Sequence, residues 1–488
     1  MNIEKQRSRL LITEFNNAEY KYLEDLVASM DNVFLYHDED KHLIGIPTGM
    51  EDTLHKVFPK AKWIDNSQQY WDYARIHPVT HNATPRNQLQ KDFINFVLEH
   101  AAKKDKIAGI LSPGQGKTFM ACYSAIELGL RTLIIVPTSS IKIQWGETLT
   151  GMFKVDPKYV KVVNKPTDFI NVKEDFVVVS QASLASLNKT YDLEKIMKNN
   201  KFGIKVIDEV QMWFKNIIHV DANSNIANNW YLTGTFGRSG DRENAIYQEM
   251  FGDLAMFREK EKKPTLFNRK PGNIYGMKPH VHCTMIWTKS GLSKEEIDKV
   301  TSSMRYSERE GKWMRFGISI PAYSNLVFPQ DGSMTKYLDT VLKVIKQAMN
   351  KIDYGRTLIL LPTISACGVV VKYLEEMYPD LKIGTINSYN SRQENAKNKA
   401  ECDIVVSTVQ SAGTGFDMKD LSRLITAVGY RSWILASQIH GRLRRRPDGK
   451  DTYMWDVVDA QIKQLRIWAN VRADVFRRSS KEFKVVDM

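Results

Sequence analysis

Four apolar runs that each end in polar residues constrain this fold more than any other feature of the chain. They cover residues 132–137, 175–181, 204–211 and 229–235. Continuous apolar strands are typical of a parallel sheet that is buried on both faces, because helices cover both sides. The repeat therefore predicts a doubly wound α/β fold, and such folds bind ligands at the carboxyl ends of their strands.

A glycine-rich segment between a predicted strand and a predicted helix is the first candidate site. Gly114, Gly116, Lys117 and Thr118 lie between an apolar stretch and residues with helical apolar spacing. Such a turn directs backbone N–H groups and the positive end of a helix dipole to one place, where lysine adds charge and threonine offers a hydroxyl to Mg²⁺. Leu111 stands where the complete phosphate-loop pattern has glycine. On this segment alone, a chance glycine-rich turn therefore stays an alternative.

Two acidic residues at the end of the third apolar run form the second candidate site. In a parallel sheet, Asp208 and Glu209 would lie on the same edge as Lys117 and Thr118. We expect Asp208 to hold Mg²⁺ through water and Glu209 to orient the attacking water. An acidic pair after a strand is more often a solvated turn, but the phosphate loop earlier in the chain favours the functional interpretation.

A polar segment precedes the helix that leads into the phosphate loop. Arg86, Gln88 and Gln90 lie just before a stretch with apolar residues on one helical face. A glutamine offers both a donor and an acceptor, and so could read the edge of an adenine. An ordinary polar helix start is the alternative, and it is more probable for this stretch taken alone.

The length of the chain predicts about three domains at about 150 residues each. Residues 1–78 predict a small α/β accessory domain, either a passive cap or a module that grips nucleic acid. We expect a first large domain over residues 79–257 and a charged linker over residues 258–276. A second large α/β domain with a C-terminal helix should cover residues 277–488. The second large domain has no phosphate loop, which excludes a duplicated nucleotide site.

An arginine-rich segment, residues 438–446, is distinctive in the second half. Arg442 and Arg445 are three residues apart, and we expect them to share one helical face. Two guanidinium groups on such a face could neutralise charge on a γ-phosphate during its transfer. The alternative for an arginine run is an exposed charged surface. In the functional interpretation, a nucleotide held between the two halves would couple hydrolysis to domain closure.

Composition bounds the partners and the compartment. The chain has 69 Lys and Arg against 56 Asp and Glu, a net charge of +13, which fits a polyanionic partner or simply a basic surface. The four cysteines form no C-x-x-C pair, which argues for a reducing compartment and against a zinc module. No apolar run approaches ~18 residues and no signal peptide is evident, so we expect a cytoplasmic protein.

The order of these motifs resembles a superfamily 2 helicase with two RecA-like domains, over about residues 84–460. The resemblance implies ATP and Mg²⁺ as cofactors, with Thr118 and Asp208 toward the metal and Lys117, Asp208, Glu209, Gln211, Arg442 and Arg445 as catalytic residues. It implies a nucleotide-binding set of Arg86, Gln90, Pro113, Gly114, Gln115, Gly116, Lys117, Thr118, Gly415, Asp417 and Gln438. It implies a nucleic-acid-binding set of Pro137, Thr138, Gln181, Thr235, Thr363 and Thr408.

Within that superfamily the chain is most similar to the UvsW-type phage helicases, which resemble RecG in activity. This likeness rests on a small N-terminal domain, a Leu-Ile-Ile-Val-Pro-Thr segment and a compact second domain. It implies a monomer that remodels branched DNA in phage replication, recombination and repair, in the host cytoplasm. Gln211 stands where that group usually has histidine. A duplex translocase without strand separation, an RNA helicase, and a nucleotide-gated binding module without catalysis are the alternatives.

Overall fold

The computed structural model describes residues 1–29, 32–33, 35–103, 106–112, 114–212, 214–234, 241–259, 279–301, 304–307, 312–315, 317–412, 418–446 and 448–488. Contacts divide the chain into two compact units, Met1–Glu261 and Lys262–Met488. The predicted fold class is confirmed, because each unit contains one large parallel sheet and the first adds a small mixed sheet. None of the helices in the described ranges is long and apolar enough to cross a membrane.

The first unit begins with a five-stranded mixed sheet. The elements of this region are β1 (Asn2–Lys5), β2 (Leu10–Thr13), α1 (Asn17–Val27), β3 (Ala28–Ser29), β4 (Asn32–Val33), β5 (Tyr36–Asp38), β6 (Leu43–Ile46), α2 (Glu51–Val57) and β7 (Lys62–Asp65). Strands β3 and β4, of two residues each, pair only with each other and lie outside the five-stranded sheet. The strand order is β5-β6-β2-β1-β7, with β7 parallel to β1 and the other pairs antiparallel. The mixed sheet and its helices agree with the small α/β unit predicted for the N-terminal segment.

The large sheet of the first unit has seven strands in the order β10-β11-β9-β12-β13-β8-β14, all parallel. The elements are α3 (Gln88–Ala102), β8 (Lys106–Ile110), α4 (Lys117–Leu128), β9 (Thr132–Val136), α5 (Ser139–Glu147), β10 (Val160–Val162), β11 (Phe176–Ser180), α6 (Gln181–Leu187), α7 (Leu193–Asn199), β12 (Ile204–Asp208), α8 (Phe214–Ala222), β13 (Asn228–Thr233), α9 (Asp241–Met250) and β14 (Ala255–Arg258). The four predicted apolar runs are β9, β11, β12 and β13, and every residue of these strands is buried.

The small sheet is fixed to the large one through buried polar contacts. Arg9 pairs with Glu194 at 2.6 Å, and Ser8 donates to the carbonyl of Ser224 at 2.6 Å. Beneath them, Lys205 pairs with Asp221 at 2.6 Å, with both side chains almost fully buried. A buried ion pair of this kind is costly to break, because one charge would be left without a partner. The two sheets therefore share one core within the first unit.

The second unit repeats the architecture, with strand order β19-β20-β18-β21-β22-β15-β23, all parallel. Its elements are β15 (Val281–Thr288), α10 (Lys294–Thr301), β16 (Met304–Ser307), β17 (Lys312–Arg315), α11 (Ile320–Val327), α12 (Lys336–Lys351), β18 (Arg356–Leu361), α13 (Ile364–Met377), β19 (Ile383–Ile386), α14 (Arg392–Glu401), β20 (Ile404–Thr408), α15 (Val409–Ala412), β21 (Leu421–Thr426), α16 (Trp433–His440), β22 (Thr452–Asp459), α17 (Lys463–Ser479) and β23 (Glu482–Asp487). This parallel sheet, together with α17 near the C-terminus, agrees with the second large α/β domain and C-terminal helix that the sequence predicts.

Candidate nucleotide site

The phosphate loop lies between β8 and α4 and depends on two glycines. Gly114 has φ 83° and Gly116 has φ 89°, values in the left-handed region that favours glycine. A Cβ atom on Gly116 would also lie 2.5 Å from the Gln90 side chain. Leu111 is buried, and its N–H donates to the carbonyl of Thr233 at 3.0 Å. A leucine therefore replaces the first glycine of the pattern because this position packs in the core.

Residues from the start of α3 hold the loop. Gln90 donates to the carbonyl of Gln115 at 2.8 Å and accepts the backbone N–H of Arg86 at 3.0 Å. The Arg86 guanidinium donates to the carbonyl of Gly114 at 2.6 Å. Gln88 instead donates to Asp92 at 2.7 Å on the exposed side of the helix. This placement favours Gln90 over Gln88 beside a nucleotide, and the contact with adenine stays a prediction.

The carboxylate of Asp208 is buried at the end of β12 and held by two donors. The indole Nε1 of Trp145 donates to Oδ2 at 2.9 Å, and the backbone N–H of Glu209 donates to Oδ1 at 3.0 Å. Burial and, to a smaller extent, the neighbouring charge of Glu209 raise the pKa of Asp208 to about 6, while Lys117 opposes the shift. A buried carboxylate of this kind favours a nearby cation.

The donor set around Asp208 fits Mg²⁺. No lysine, arginine or histidine in the described ranges forms an ion pair with the Asp208 carboxylate. Thr118 is the second residue of α4, directly after Lys117. Oxygen ligands suit Mg²⁺, which keeps several waters and substrate phosphates rather than requiring a complete protein cage. The same ranges contain no cluster of three or more His, Cys, Asp or Glu that could hold a metal ion. Asp208 and Thr118 would hold the ion together with the phosphates.

A chain of side-chain contacts connects the phosphate loop to the end of β13. The Lys117 ammonium lies 3.8 Å from Glu209 Oε1. Gln211 donates to Glu209 Oε2 at 2.6 Å and accepts the hydroxyl proton of Thr233 at 2.6 Å. Glu209 has φ 52°, which is uncommon for a residue other than glycine and marks local strain. Glutamine can thus bridge the acidic pair and Thr233 through one donor and one acceptor.

The residues predicted to contact nucleic acid lie where strands meet helices at the carboxyl edges of the sheets. Thr138 caps α5, Thr363 caps α13 and the Thr408 hydroxyl accepts the backbone N–H of Ser411 at 3.2 Å. Pro137 is buried, and Gln181 is only 1% exposed. Nucleic-acid contact by these residues stays a prediction. Thr235, like the nucleotide candidates Pro113, Gly415 and Asp417, lies outside the described residues.

The expectation that Arg442 and Arg445 share a helical face is wrong. Helix α16 ends at His440, with Gly441 as its C-cap, so that of Gln438, Arg442 and Arg445 only Gln438 is helical. Tight turns follow, in which the N–H groups of Arg442 and Leu443 donate three residues back. Glycine has a low helix propensity, and the Nε2 of His280 donates to the Leu443 carbonyl at 2.7 Å, so this carbonyl is bonded outside any helix. Arg445 is exposed and Arg442 half-buried, and their roles toward phosphate stay predictions.

Sequence reasoning missed two residues that organise this site. Trp145 was not among the predicted site residues, although an indole N–H in an apolar helix next to a predicted carboxylate is a possible donor to it. Asn87 accepts the backbone N–H of Gln90 at 3.0 Å and so begins α3 at the residue that places Gln90 on the loop. An N-cap asparagine before an apolar helical stretch was the available signal.

Comparisons with known proteins agree with this geometry. A family profile described as "Type III restriction enzyme, res subunit" matches residues 84–235. A protein named as a helicase in Invertebrate iridescent virus 6 is 24% identical over 377 residues, covering 75% of this chain and 74% of the relative. A protein named as an ATP-dependent RNA helicase in Acanthamoeba polyphaga mimivirus is 28% identical over 214 residues, covering 43% of this chain and 36% of that protein.

Solved structures share the fold. A fragment named as an HsdR subunit of a type I restriction enzyme from Vibrio vulnificus YJ016 has a TM-score of 0.53 at 14% identity, covering 84% of this chain and 70% of that chain. The crystal structure of T4 UvsW covers 100% of both chains at 14% identity, with a TM-score of 0.33, which is too low to support the finer UvsW-type assignment. Together with the site, the comparisons support an ATP-dependent nucleic-acid helicase of superfamily 2.

Proposed function

We propose that this chain is an ATP-dependent DNA helicase that remodels branched DNA by branch migration, fork regression or unwinding of junctions and R-loops. The observation that carries the ATPase part is the continuous contact chain from Lys117 through Glu209 and Gln211 to Thr233. A nucleotide bound at the loop would lie next to this chain. Hydrolysis could then alter the position of β13 and the segment that follows it.

Each side chain has a distinct role in the proposed hydrolysis. Lys117 neutralises the β- and γ-phosphates, and Thr118 and Asp208 hold the ion, largely through water. Mg²⁺, when bound, withdraws electron density from the phosphate oxygens. Glu209 orients the attacking water, and Gln211 keeps its carboxylate in place. In this proposal Arg442 and Arg445 stabilise the charge of the transition state.

The proposed interaction with DNA is through its backbone. Thr138 and Thr363 cap helices of nine and 14 residues, whose N-terminal N–H groups favour phosphate oxygens. Phosphate contacts carry little sequence information, so binding should select DNA structure and should weaken strongly with salt. The net charge of +13 fits that behaviour.

Two alternative substrates have specific support. The res-subunit profile and the HsdR-like fold favour a motor that translocates on duplex DNA without separating strands. The mimivirus relative is named as an RNA helicase, which favours RNA. A strand-displacement assay on forked DNA and on an RNA duplex discriminates between them, since a pure translocase turns over ATP and releases no strand.

The decisive experiment measures ATPase stimulation by single-stranded, duplex, forked, four-way-junction and RNA–DNA hybrid substrates. We expect the largest stimulation with branched DNA, and a larger response to RNA would reject the DNA assignment. Lys117→Ala should lose stimulated hydrolysis and keep salt-sensitive DNA binding. Lys91→Ala, at an exposed position of α3, is the matched control and should change neither. Nucleic-acid-stimulated hydrolysis by Lys117→Ala would refute the ATPase site.

A further inference from the structure

Helix α5 connects two places that the proposed function treats separately. It begins at Thr138, a predicted nucleic-acid contact whose hydroxyl accepts the backbone N–H of Ile141 at 3.4 Å. Trp145 lies about two turns further on, or about 10 Å along the axis. Its indole donates to the buried carboxylate of Asp208 at 2.9 Å. One helix therefore joins the start of a predicted backbone contact to the residue proposed to hold Mg²⁺.

Helix α5 is packed tightly against the sheet. Ile141 and Trp145 are four residues apart on one face of the helix and are 5% and 0% exposed, and α5 contacts β9, β10 and β11. Close-packed side chains of this size leave little room for local adjustment. A displacement at Thr138 would therefore reach Trp145 rather than being absorbed between them.

The hydrogen bond of Trp145 is a specific feature rather than a general property of buried tryptophans here. Trp230 is also almost fully buried in the same unit, at 1% exposure, and its indole nitrogen has no hydrogen-bond partner among the described residues. The remaining donor to the Asp208 carboxylate is the backbone N–H of Glu209, which cannot move without the acidic pair itself. Trp145 is thus the one contact of this carboxylate, within the described ranges, that comes from α5.

We propose that Trp145 is a positioning residue that couples nucleic-acid contact at the start of α5 to the metal-binding carboxylate of Asp208. The inference rests on the proposed function, because it requires nucleic acid at Thr138 and Mg²⁺ at Asp208. Coupling of this kind is reciprocal: nucleic acid tightens Mg²⁺–nucleotide binding by the same factor as Mg²⁺–nucleotide tightens nucleic-acid binding. Losing the indole N–H should weaken both sides of that relation together.

The test measures this coupling factor without catalytic turnover. Affinity for a fluorescent forked DNA is determined with and without Mg²⁺ and a non-hydrolysable ATP analogue, and affinity for the analogue is determined with and without DNA. In Trp145→Phe we expect the coupling factor to fall about tenfold, because a hydrogen bond to a charged group is lost. If the wild-type factor is below about ten, we expect it to fall to one. Trp230→Phe removes a similar buried ring without a hydrogen bond, and it should keep the wild-type factor.

Trp145→His is the second variant, because it retains a ring N–H in a smaller side chain. It should keep a larger coupling factor than Trp145→Phe, and it decides the question alone if Trp145→Phe does not fold. A wild-type factor in folded Trp145→Phe, or a factor of one in folded Trp145→His, would overturn the inference. Absence of any coupling in the wild-type protein would instead count against the proposed function, so the two failures are distinguishable.

Discussion

The contact between Gln211 and its two neighbours gives the sharpest prediction about the proposed ATPase. Gln211 is 3% exposed, donates to the Glu209 carboxylate at 2.6 Å and accepts from Thr233 at 2.6 Å. Gln211→Leu removes both hydrogen bonds and keeps a similar volume. The Lys117 ammonium, 3.8 Å from Glu209 Oε1, should then draw the carboxylate toward itself and away from the attacking water.

The magnitude follows from the two bonds. A hydrogen bond to a charged group contributes about 1.5–3 kcal/mol, and a neutral one about 1 kcal/mol. Only the part that is lost in the transition state lowers the rate, and each 1.4 kcal/mol or so is about tenfold. A loss of about 3 kcal/mol predicts a fall in kcat of about 100-fold, with a much smaller change in the affinity for ATP.

The assay is steady-state ATP hydrolysis at saturating forked DNA, with folding verified by thermal unfolding. Gln211→His should recover much of the activity, since an imidazole can donate to Glu209 and accept from Thr233. Asn228→Ala is the matched control: it removes a buried amide at the opposite end of β13, where Asn228 donates to the Gly203 carbonyl at 3.0 Å. A kcat for folded Gln211→Leu within about twofold of the wild type would refute this reasoning.

Three further predictions concern the loop, pH and the second core. Gln90→Leu should raise the KM for ATP at least about tenfold, because the phosphate loop loses its hydrogen bond to the Gln90 side chain. Gln88→Leu, on the exposed side of the same helix, should change the KM little. Initial rates of hydrolysis over a range of ATP concentrations measure both. Burial lowers the pKa of His440 from 6.5 to about 4. The free energy of unfolding should therefore be highest above about pH 6.5 and should fall by about 2 kcal/mol by about pH 4.5, because the unfolded chain takes up a proton more readily. Urea unfolding at several pH values should show a weaker pH dependence in His440→Gln. Arg472→Met should lower the free energy of unfolding by about 3–5 kcal/mol, because Asp456 stays buried without the guanidinium that lies 3.0 Å away. If the double variant Arg472→Met, Asp456→Asn regains stability in urea unfolding, the unpaired carboxylate is the cause.

The amino-acid sequence alone was sufficient to predict the fold class and the central strands of the first large sheet. Apolar runs such as Ile204–Asp208 have few alternatives, because burying every residue on both faces requires a parallel sheet with helices on each side. The position of Lys117 and Asp208 at one edge followed directly from that topology, since strands of a parallel sheet end on the same side. Gly116 was equally informative, as its left-handed backbone is one that other residues adopt at a cost.

The contacts between distant side chains became known only from the three-dimensional fold. Periodicity placed Arg442 and Arg445 on one helix, but Gly441 and the long-range bond from His280 end that helix first. The partnership of Trp145 with Asp208 spans 63 residues, and that of Thr233 with Gln211 spans 22, so neither distance is fixed by local pattern. Sequence specifies local geometry through spacing, whereas contacts between elements depend on how whole strands and helices pack. For this chain, that packing turned an incomplete glycine loop and an acidic pair into one connected site.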